Sequence, residues 1–214
     1  MMNIEVVFIK TQNIDLWSNK YYNLSNDYIF KEAVNHPEIL KYLLSVCFSI
    51  AIQNYQKRNV ELNKNNKNRY APIVDFKIET SDTIYLIEMQ NKNLYNMEER
   101  CLFSFSRQCQ NIMKPRDNFK KIKKIHILIF LNYAFKKDNH YQILGKNLQT
   151  LFTNKLEIYI FNIPKELQSP SKKRKNIAKF FTLTSIQNIN RKTLNKTEKL
   201  ILDYIKNFNL PNEK

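Results

Sequence analysis

The sequence predicts an α/β fold, because helical and strand-like patterns alternate along the chain. Residues 25–52 and 94–114 place apolar side chains at helical spacing. Residues 72–91 and 123–132 are instead rich in β-branched and apolar side chains over lengths typical of strands. The length of 214 residues suits one domain with a sizeable core, so we expect residues 1–214 to form a single domain.

The first helical stretch is predicted to be a broken helical pair that covers one face of a sheet. Ser25 is a suitable N-cap, and Asp27 falls in the first turn, where an acidic side chain is favoured. Pro37 restarts a strongly apolar helix after a break in the pattern. Residues 54–70 then lose all periodicity, which predicts a solvated loop or the frayed end of a helix.

The most informative stretch lies between the two helical regions and is typical of a β-hairpin. If Ser81 and Asp82 form its two-residue loop, Asp75 lies opposite Glu88 with Cβ atoms roughly 5 Å apart. Gln90 shares the face of Glu88, because side chains alternate along a strand. Facing carboxylates weaken a sheet unless a cation lies between them, so this face is predicted to bind a divalent metal. Hard carboxylate oxygens favour Mg²⁺, with Mn²⁺ as a substitute.

The helix after the hairpin carries a basic stripe, since Arg100, Arg107 and Lys114 recur at steps of seven. Such a stripe lies either in solvent or along a phosphate backbone. The continuous apolar run at 123–132 predicts a buried central strand.

The last third of the chain predicts further strands at 141–144 and 156–163 and a final helix that opens with a capping box at Asn195 and Glu198. Between them lies a run of four positive charges, expected in a loop that either contacts phosphates or is simply solvated. These residues are Lys172, Lys173, Arg174 and Lys175.

Composition points to a polyanionic partner. The chain has 35 Lys and Arg against 19 Asp and Glu, a formal net charge of +16. The alternative is a codon bias towards Lys, Asn and Ile, which would leave a basic but inert surface. Three cysteines without C-x-x-C spacing argue against a disulfide framework and fit a cytoplasmic protein. No run approaches the roughly 20 apolar residues of a membrane span, so no membrane partner is predicted.

At the hairpin the chain resembles the PD-(D/E)XK nuclease superfamily, in particular its branch of recombination-promoting nucleases, also described as PD-(D/E)XK family transposases. Asp75 matches the aspartate, Glu88 the acidic residue, and Gln90 stands where the superfamily more often has lysine. The segment DYIFK at residues 27–31 resembles the D-x-x-F-K opening of that branch. Residues 158–165 resemble its late strand ending in Leu/Ile-Pro-Lys.

The resemblance covers about residues 24–166 and leaves a basic loop and a C-terminal helix at 167–214. It implies a restriction-endonuclease-like core, a small mixed β-sheet flanked by helices. It also implies a Mg²⁺-dependent endonuclease that hydrolyses DNA, largely independently of sequence, in transposition or recombination of a mobile element. No oligomeric state is predicted.

The resemblance also assigns residues. Met89 would add a backbone carbonyl to the metal site, and Arg100 matches an arginine on the following helix. Asp27 is the first choice for a further acidic residue and Glu38 the second, although either is also explained as a helix-terminal acid. Gln90 can orient a water by hydrogen bonds but contributes no charge, which predicts a low rate.

Two other classes of function remain open from the sequence. The chain could bind nucleic acid without cutting it, its acidic hairpin being a relic or a structural ion site. It could also be a structural or protein-binding domain whose basic surface reflects codon usage.

Overall fold

The computed structural model describes residues 21–58, 74–93, 95–135, 140–144 and 150–209. Along these residues, two helices are followed by three strands, one helix, three more strands and three final helices. The helices are α1 (Asp27–Asn35), α2 (Pro37–Phe48), α3 (Met97–Ile112), α4 (Ile163–Glu166), α5 (Lys172–Thr182) and α6 (Lys196–Phe208). The strands are β1 (Gln56–Arg58), β2 (Phe76–Glu79), β3 (Thr83–Gln90), β4 (Lys124–Leu131), β5 (His140–Leu144) and β6 (Leu151–Asn162).

The described strands form one mixed sheet in the order β1-β2-β3-β4-β6-β5. The central strands β3, β4 and β6 run parallel, and the remaining neighbours are antiparallel. Parallel strands are usually covered on both faces, and β3 and β4 are accordingly almost wholly buried. The predicted α/β fold with a mixed sheet flanked by helices is confirmed.

Two apolar clusters lie on the two faces of the sheet. On one face, α3 packs Cys101 and Phe105 against alternate residues of β3 and β4. On the other face, α1, α2, α5 and α6 enclose a larger cluster around Phe30, Phe130 and Phe181. Alternation along the strands therefore decides which helices a side chain meets.

The helix starts follow local capping chemistry. Asn26, not Ser25 as predicted, is the N-cap of α1. Its side chain accepts hydrogen bonds from the backbone N–H groups of Tyr28 and Ile29. Pro37 begins α2 as predicted, and the capping box between Asn195 and Glu198 opens α6. Ser49 ends α2 with φ 59°, a conformation that glycine more often adopts.

The predicted hairpin has the predicted register. Phe76 pairs with Ile87 and Glu79 with Ile84, and Ser81 and Asp82 form the loop between β2 and β3. Residues 72 and 73, the start of the predicted hairpin, lie outside the described residues. The loop predicted at 54–70 is wrong at 56–58, where β1 pairs with β2.

The loop predicted around the basic run is also wrong, because its four residues form the start of α5. The hydroxyl of Ser171 accepts a hydrogen bond from the backbone N–H of Arg174 and so caps the helix. The first turn of α5 is charged, which conceals the amphipathic pattern in the sequence. The buried side chains lie in the later turns, at Ile177, Ala178, Phe180 and Phe181. Within the part of the chain that is described, no helix is long and apolar enough to cross a membrane.

Candidate active site

The candidate site lies where the parallel strands end. Glu88 and Gln90 occupy the carboxyl end of β3, beside Ile129 and Leu131 of β4. Asp75 immediately precedes β2 on the other side of β3. In open α/β sheets, ligands usually bind in the crevice outside the carboxyl ends of the parallel strands.

Asp75 is held at this edge by both neighbouring elements. Its Oδ2 accepts a hydrogen bond of 2.7 Å from the backbone N–H of Met89, and its Oδ1 lies 3.3 Å from the Lys31 ammonium of α1. Burial raises the pKa of Asp75, while the Met89 N–H and Lys31 act in the opposite direction. The hairpin register, continued by one step, puts Asp75 opposite Glu88 as predicted.

Glu88 is the more deeply buried carboxylate, with its side chain 8% exposed. Its Oε2 accepts a 3.1 Å hydrogen bond from Gln90 Nε2 and lies 3.7 Å from Arg100 Nη2. Burial raises the pKa of Glu88 to about 7; the negative charge of Asp75 contributes to the increase, and Arg100 opposes it. The two carboxylates therefore repel one another across the hairpin.

Arg100 reaches the site from α3, on the opposite side from α1. Besides its contact with Glu88, its Nη1 donates a 3.3 Å hydrogen bond to Gln90 Oε1. It is thus directed at the acidic hairpin, whereas Arg107 lies two turns further along α3 and is half-buried. Lys114, the last member of the predicted stripe, is exposed, and a phosphate-binding role for the stripe stays a prediction.

The donor set suits a hard divalent cation. Asp75 and Glu88 offer carboxylate oxygens, and the carbonyl of Met89 points to the same side of β3 as its N–H, towards Asp75. Mg²⁺ commonly binds through one or two carboxylates and completes its shell with waters and substrate phosphate. Two carboxylates that already attract Lys31 and Arg100 fit such an ion.

The further acidic residue is not brought into this set. Asp27 lies one turn before Lys31 on α1, and its charge contributes to the raised pKa of Asp75. Across the described residues, no group of three or more His, Cys, Asp and Glu side chains is arranged to hold a metal. Glu38 accepts a 3.0 Å hydrogen bond from the Thr197 hydroxyl and so faces α6.

The basic run on α5 divides into two kinds of residue. Arg174 donates to both carboxylate oxygens of Glu166 at 2.7 Å and to the carbonyls of Val46 and Cys47. Four of its N–H groups are thus used inside the protein. Of the four basic residues, Arg174 is therefore the one that we do not propose as a phosphate contact. The α5 lysines, which are Lys172, Lys173 and Lys175, are exposed.

The contact between Arg174 and Glu166 also positions the α5 lysines. Glu166 belongs to α4, which follows directly on β6 where that strand ends beside β4. The first turn of α5 is therefore at the same end of the sheet as Glu88. A second lysine-rich segment, residues 120–124, lies at the start of β4 and hence about 20 Å away along the strand.

An open cleft adjoins the start of α1. It has a volume of about 550 Å³, and Asp27, Tyr28 and Asn91 are among the residues that line it. Asn91 ties the end of β3 to α1 through a 2.8 Å hydrogen bond from its Nδ2 to the carbonyl of Ser25. The cleft therefore reaches the end of β3 at Asn91, although Asp75, Glu88 and Gln90 are not among its lining residues.

Lys31 is the site residue whose role sequence reasoning missed. It was visible as the last residue of the DYIFK segment, four residues after Asp27 and so on the same face of α1. Its partner Asp75 lies far away in sequence, and only the packing of α1 beside the hairpin shows the contact.

Paired carboxylates and an amide at the end of a β-hairpin, within a mixed sheet flanked by helices, define a nuclease-like α/β domain. A family model described as "PD-(D/E)XK nuclease family transposase" matches residues 24–210. The chain therefore belongs to this family, which confirms the predicted resemblance and extends it through α5 and α6, beyond the predicted limit of 166. Membership indicates a nuclease or transposition function with DNA as substrate. No curated protein and no solved structure matches the chain significantly.

Proposed function

We propose that the protein is a metal-dependent endonuclease that hydrolyses phosphodiester bonds of DNA in the movement or recombination of a mobile element. The observation that carries the proposal is the pair of buried, mutually repelling carboxylates, Asp75 and Glu88, at the carboxyl ends of the parallel strands. A stable sheet without such a function gains nothing from facing carboxylates, since like charges opposite one another are destabilising.

Asp75 and Glu88 would hold Mg²⁺ or Mn²⁺, with the Met89 carbonyl as a third ligand. When bound, the ion polarises the phosphoryl oxygen and lowers the pKa of a coordinated water. The Met89 N–H orients Asp75, and Arg100 together with Gln90 orients Glu88, so the ligand positions are fixed before substrate binds.

Gln90 has two hydrogen-bonding duties in this proposal. Its Nε2 donates to Glu88, and its Oε1 accepts from Arg100. The remaining N–H of the amide can hold the attacking water in line with the leaving oxygen. As an uncharged group it does not stabilise the negative charge that develops on the phosphoryl oxygens, so this part of the catalysis falls to other residues.

The DNA backbone would lie along the end of the sheet that carries the site. The exposed α5 lysines are at this end, and the formal charge of +16 favours any polyanion. Flexible lysines contact phosphates as point charges and read no bases, which supports binding that is largely independent of sequence.

A second candidate function is DNA binding without cleavage. The observation that favours it is that each carboxylate has a cationic side chain beside it, Lys31 at Asp75 and Arg100 at Glu88. In that case the acidic hairpin is a pair of internal salt bridges. Metal-dependent cleavage of DNA that is lost in Asp75→Ala distinguishes the two functions, because a protein that only binds DNA does not cut it with or without the ion.

The test is single-turnover cleavage of a labelled DNA duplex in Mg²⁺ or in excess chelator. Asp75→Ala and Glu88→Ala should each lower the rate by at least about a hundredfold, because each removes a ligand that fixes the charge at the reacting phosphate. Glu99→Ala, which removes an exposed carboxylate of α3 next to Arg100, is the matched control and should cleave at the wild-type rate. Equal rates for all four proteins would contradict the proposal.

A further inference from the structure

The two cations of the site differ in how firmly they are held. Arg100 contacts both Glu88 and Gln90, and its side chain is 33% exposed. Lys31 has a contact of 3.3 Å to Asp75, and its side chain is 44% exposed. A lysine at the end of a flexible four-carbon stem changes partner more readily than a guanidinium held at two points. Lys31 is therefore the cation that can move.

At the end of the acidic hairpin, the cation in contact with Gln90 is Arg100, which also faces Glu88. Gln90 is neutral, and its amide is already engaged with Glu88 and Arg100. Displacement at a phosphodiester spreads negative charge over the phosphoryl oxygens, and a positioned cation stabilises that charge. Arg100 lines a small pocket with Glu88 and Gln90 on the α3 side of the sheet. Lys31 instead reaches Asp75 from α1, one turn after Asp27, which lines the open cleft.

We propose that Lys31 is a catalytic residue that exchanges its partner during the reaction, from Asp75 in the metal-free protein to a non-bridging oxygen of the scissile phosphate in the substrate complex. This inference rests on the proposed nuclease function. Lys31 leaves Asp75 when a divalent ion binds there, because two cations on one carboxylate repel each other. It then turns to the substrate phosphate, for which Asp27, four residues earlier on the same face of α1, is the competing anion.

The chemistry balances with Lys31 as a charge and not as a proton donor. The oxygen of a water forms the new bond to phosphorus, and the bond from phosphorus to the leaving oxygen breaks. One proton of that water is lost to solvent, and the leaving oxygen takes a proton from solvent, which gives a phosphomonoester and a hydroxyl. Lys31 remains an ammonium throughout and stabilises the phosphoryl oxygens while the bonds exchange.

The exchange of partners makes Lys31 act in opposite directions on two measurable quantities. In the free protein it competes with the metal for Asp75, so its removal should tighten metal binding, by about fivefold for a partly exposed ion pair. In the substrate complex it stabilises the transition state, so its removal should slow cleavage by at least about tenfold. A residue that merely supports the fold would lower both metal affinity and rate.

The experiment compares the full chain as wild type, Lys31→Met, Lys31→Arg and Lys206→Met. The last variant removes an exposed lysine of α6 and so matches the loss of charge. Calorimetric titration with Mn²⁺ alone gives the metal affinity, and single-turnover cleavage of a labelled duplex at saturating Mn²⁺ gives the rate. We expect tighter Mn²⁺ binding and slower cleavage in Lys31→Met, behaviour close to wild type in Lys206→Met, and partial recovery of the rate in Lys31→Arg.

Each of the following results would overturn the inference. If the Lys31→Met variant cleaves as fast as wild type, Lys31 has no catalytic role. If the variant binds Mn²⁺ no more tightly than wild type, Lys31 does not compete with the metal for Asp75. A variant that loses both affinity and rate shows a structural role. If the wild type itself neither binds Mn²⁺ nor cleaves, the proposed function fails together with the inference. If wild type cleaves and only the Lys31 variants depart from expectation, the inference alone fails.

Discussion

Above about pH 7, the metal-free Glu88→Gln variant should be more stable than metal-free wild type, although the substitution removes a ligand of the proposed metal site. The Glu88 carboxyl is buried, and this burial raises its pKa to about 7 from a usual value of 4.5. The native state therefore binds the proton more tightly than the unfolded chain does. Stability should fall as the pH rises from about 4.5 to about 7 and level off above that, because ionising Glu88 in the folded protein costs free energy.

The size of the effect follows from the difference between the two pKa values. A pKa difference of about 2.5 corresponds to roughly 3 kcal/mol in the free energy of unfolding. Of this, about 2 to 3 kcal/mol of stability is lost between pH 5 and pH 8. Glutamine has nearly the same shape and can still accept the hydrogen bond from Gln90, so Glu88→Gln should lack this pH-dependent loss. The altered contact with Arg100 changes stability by an amount that hardly varies with pH, since arginine stays charged throughout.

The assay is urea denaturation of wild type and Glu88→Gln at several pH values from 5 to 8.5, with chelator present. The quantity to compare is the difference in free energy of unfolding between the two proteins, which should grow in favour of Glu88→Gln as the pH rises. A difference that stays constant over this range would refute the claim that Glu88 is a buried carboxyl with a raised pKa.

Three other predictions concern the remaining parts of the account. Gln90→Ala should lower the rate of single-turnover cleavage while leaving the affinities for Mn²⁺ and DNA nearly intact, and Gln90→Lys should retain or raise the rate. Equal rates for wild type and both variants would exclude a catalytic role for Gln90. Replacing the three α5 lysines with methionine should reduce the slope of log binding constant against log salt by about 2 to 3, whereas an unchanged slope would place the DNA elsewhere. Arg174→Met should lower the free energy of unfolding by about 3 kcal/mol, because it leaves the buried Glu166 carboxylate unpaired. Lys173→Met should change it by no more than about 0.5 kcal/mol, and similar values for both variants would contradict an internal role for Arg174.

The acidic hairpin could be predicted from the sequence because its geometry is local. A two-residue loop at Ser81 and Asp82 fixes the register of both strands, and the register determines which residues face each other. Asp75 and Glu88 were therefore placed opposite one another without knowledge of the rest of the fold. The apolar run of β4 was equally clear, since a strand buried on both faces has no polar alternation to conceal it.

The partners of the carboxylates could not be predicted in the same way. The contact of Lys31 with Asp75 depends on how α1 packs beside the hairpin, and helical periodicity shows only which face of α1 carries the lysine. The sequence likewise could not separate Arg174 from the neighbouring lysines. All four residues look alike in a charge run, and the buried Glu166 that engages Arg174 is revealed only by the packing of α4 against α5.

Nicking of supercoiled plasmid by the purified protein tests the central claim most directly, because a single cut in either strand converts the substrate into a resolvable product. Wild type should nick the plasmid in Mg²⁺ or Mn²⁺, stop when chelator is added and resume when the metal is restored. Asp75→Ala, purified and assayed in parallel, should nick at least about a hundredfold more slowly. Nicking that persists in chelator, or that is equally fast in Asp75→Ala, would contradict a metal-dependent nuclease site at Asp75 and Glu88.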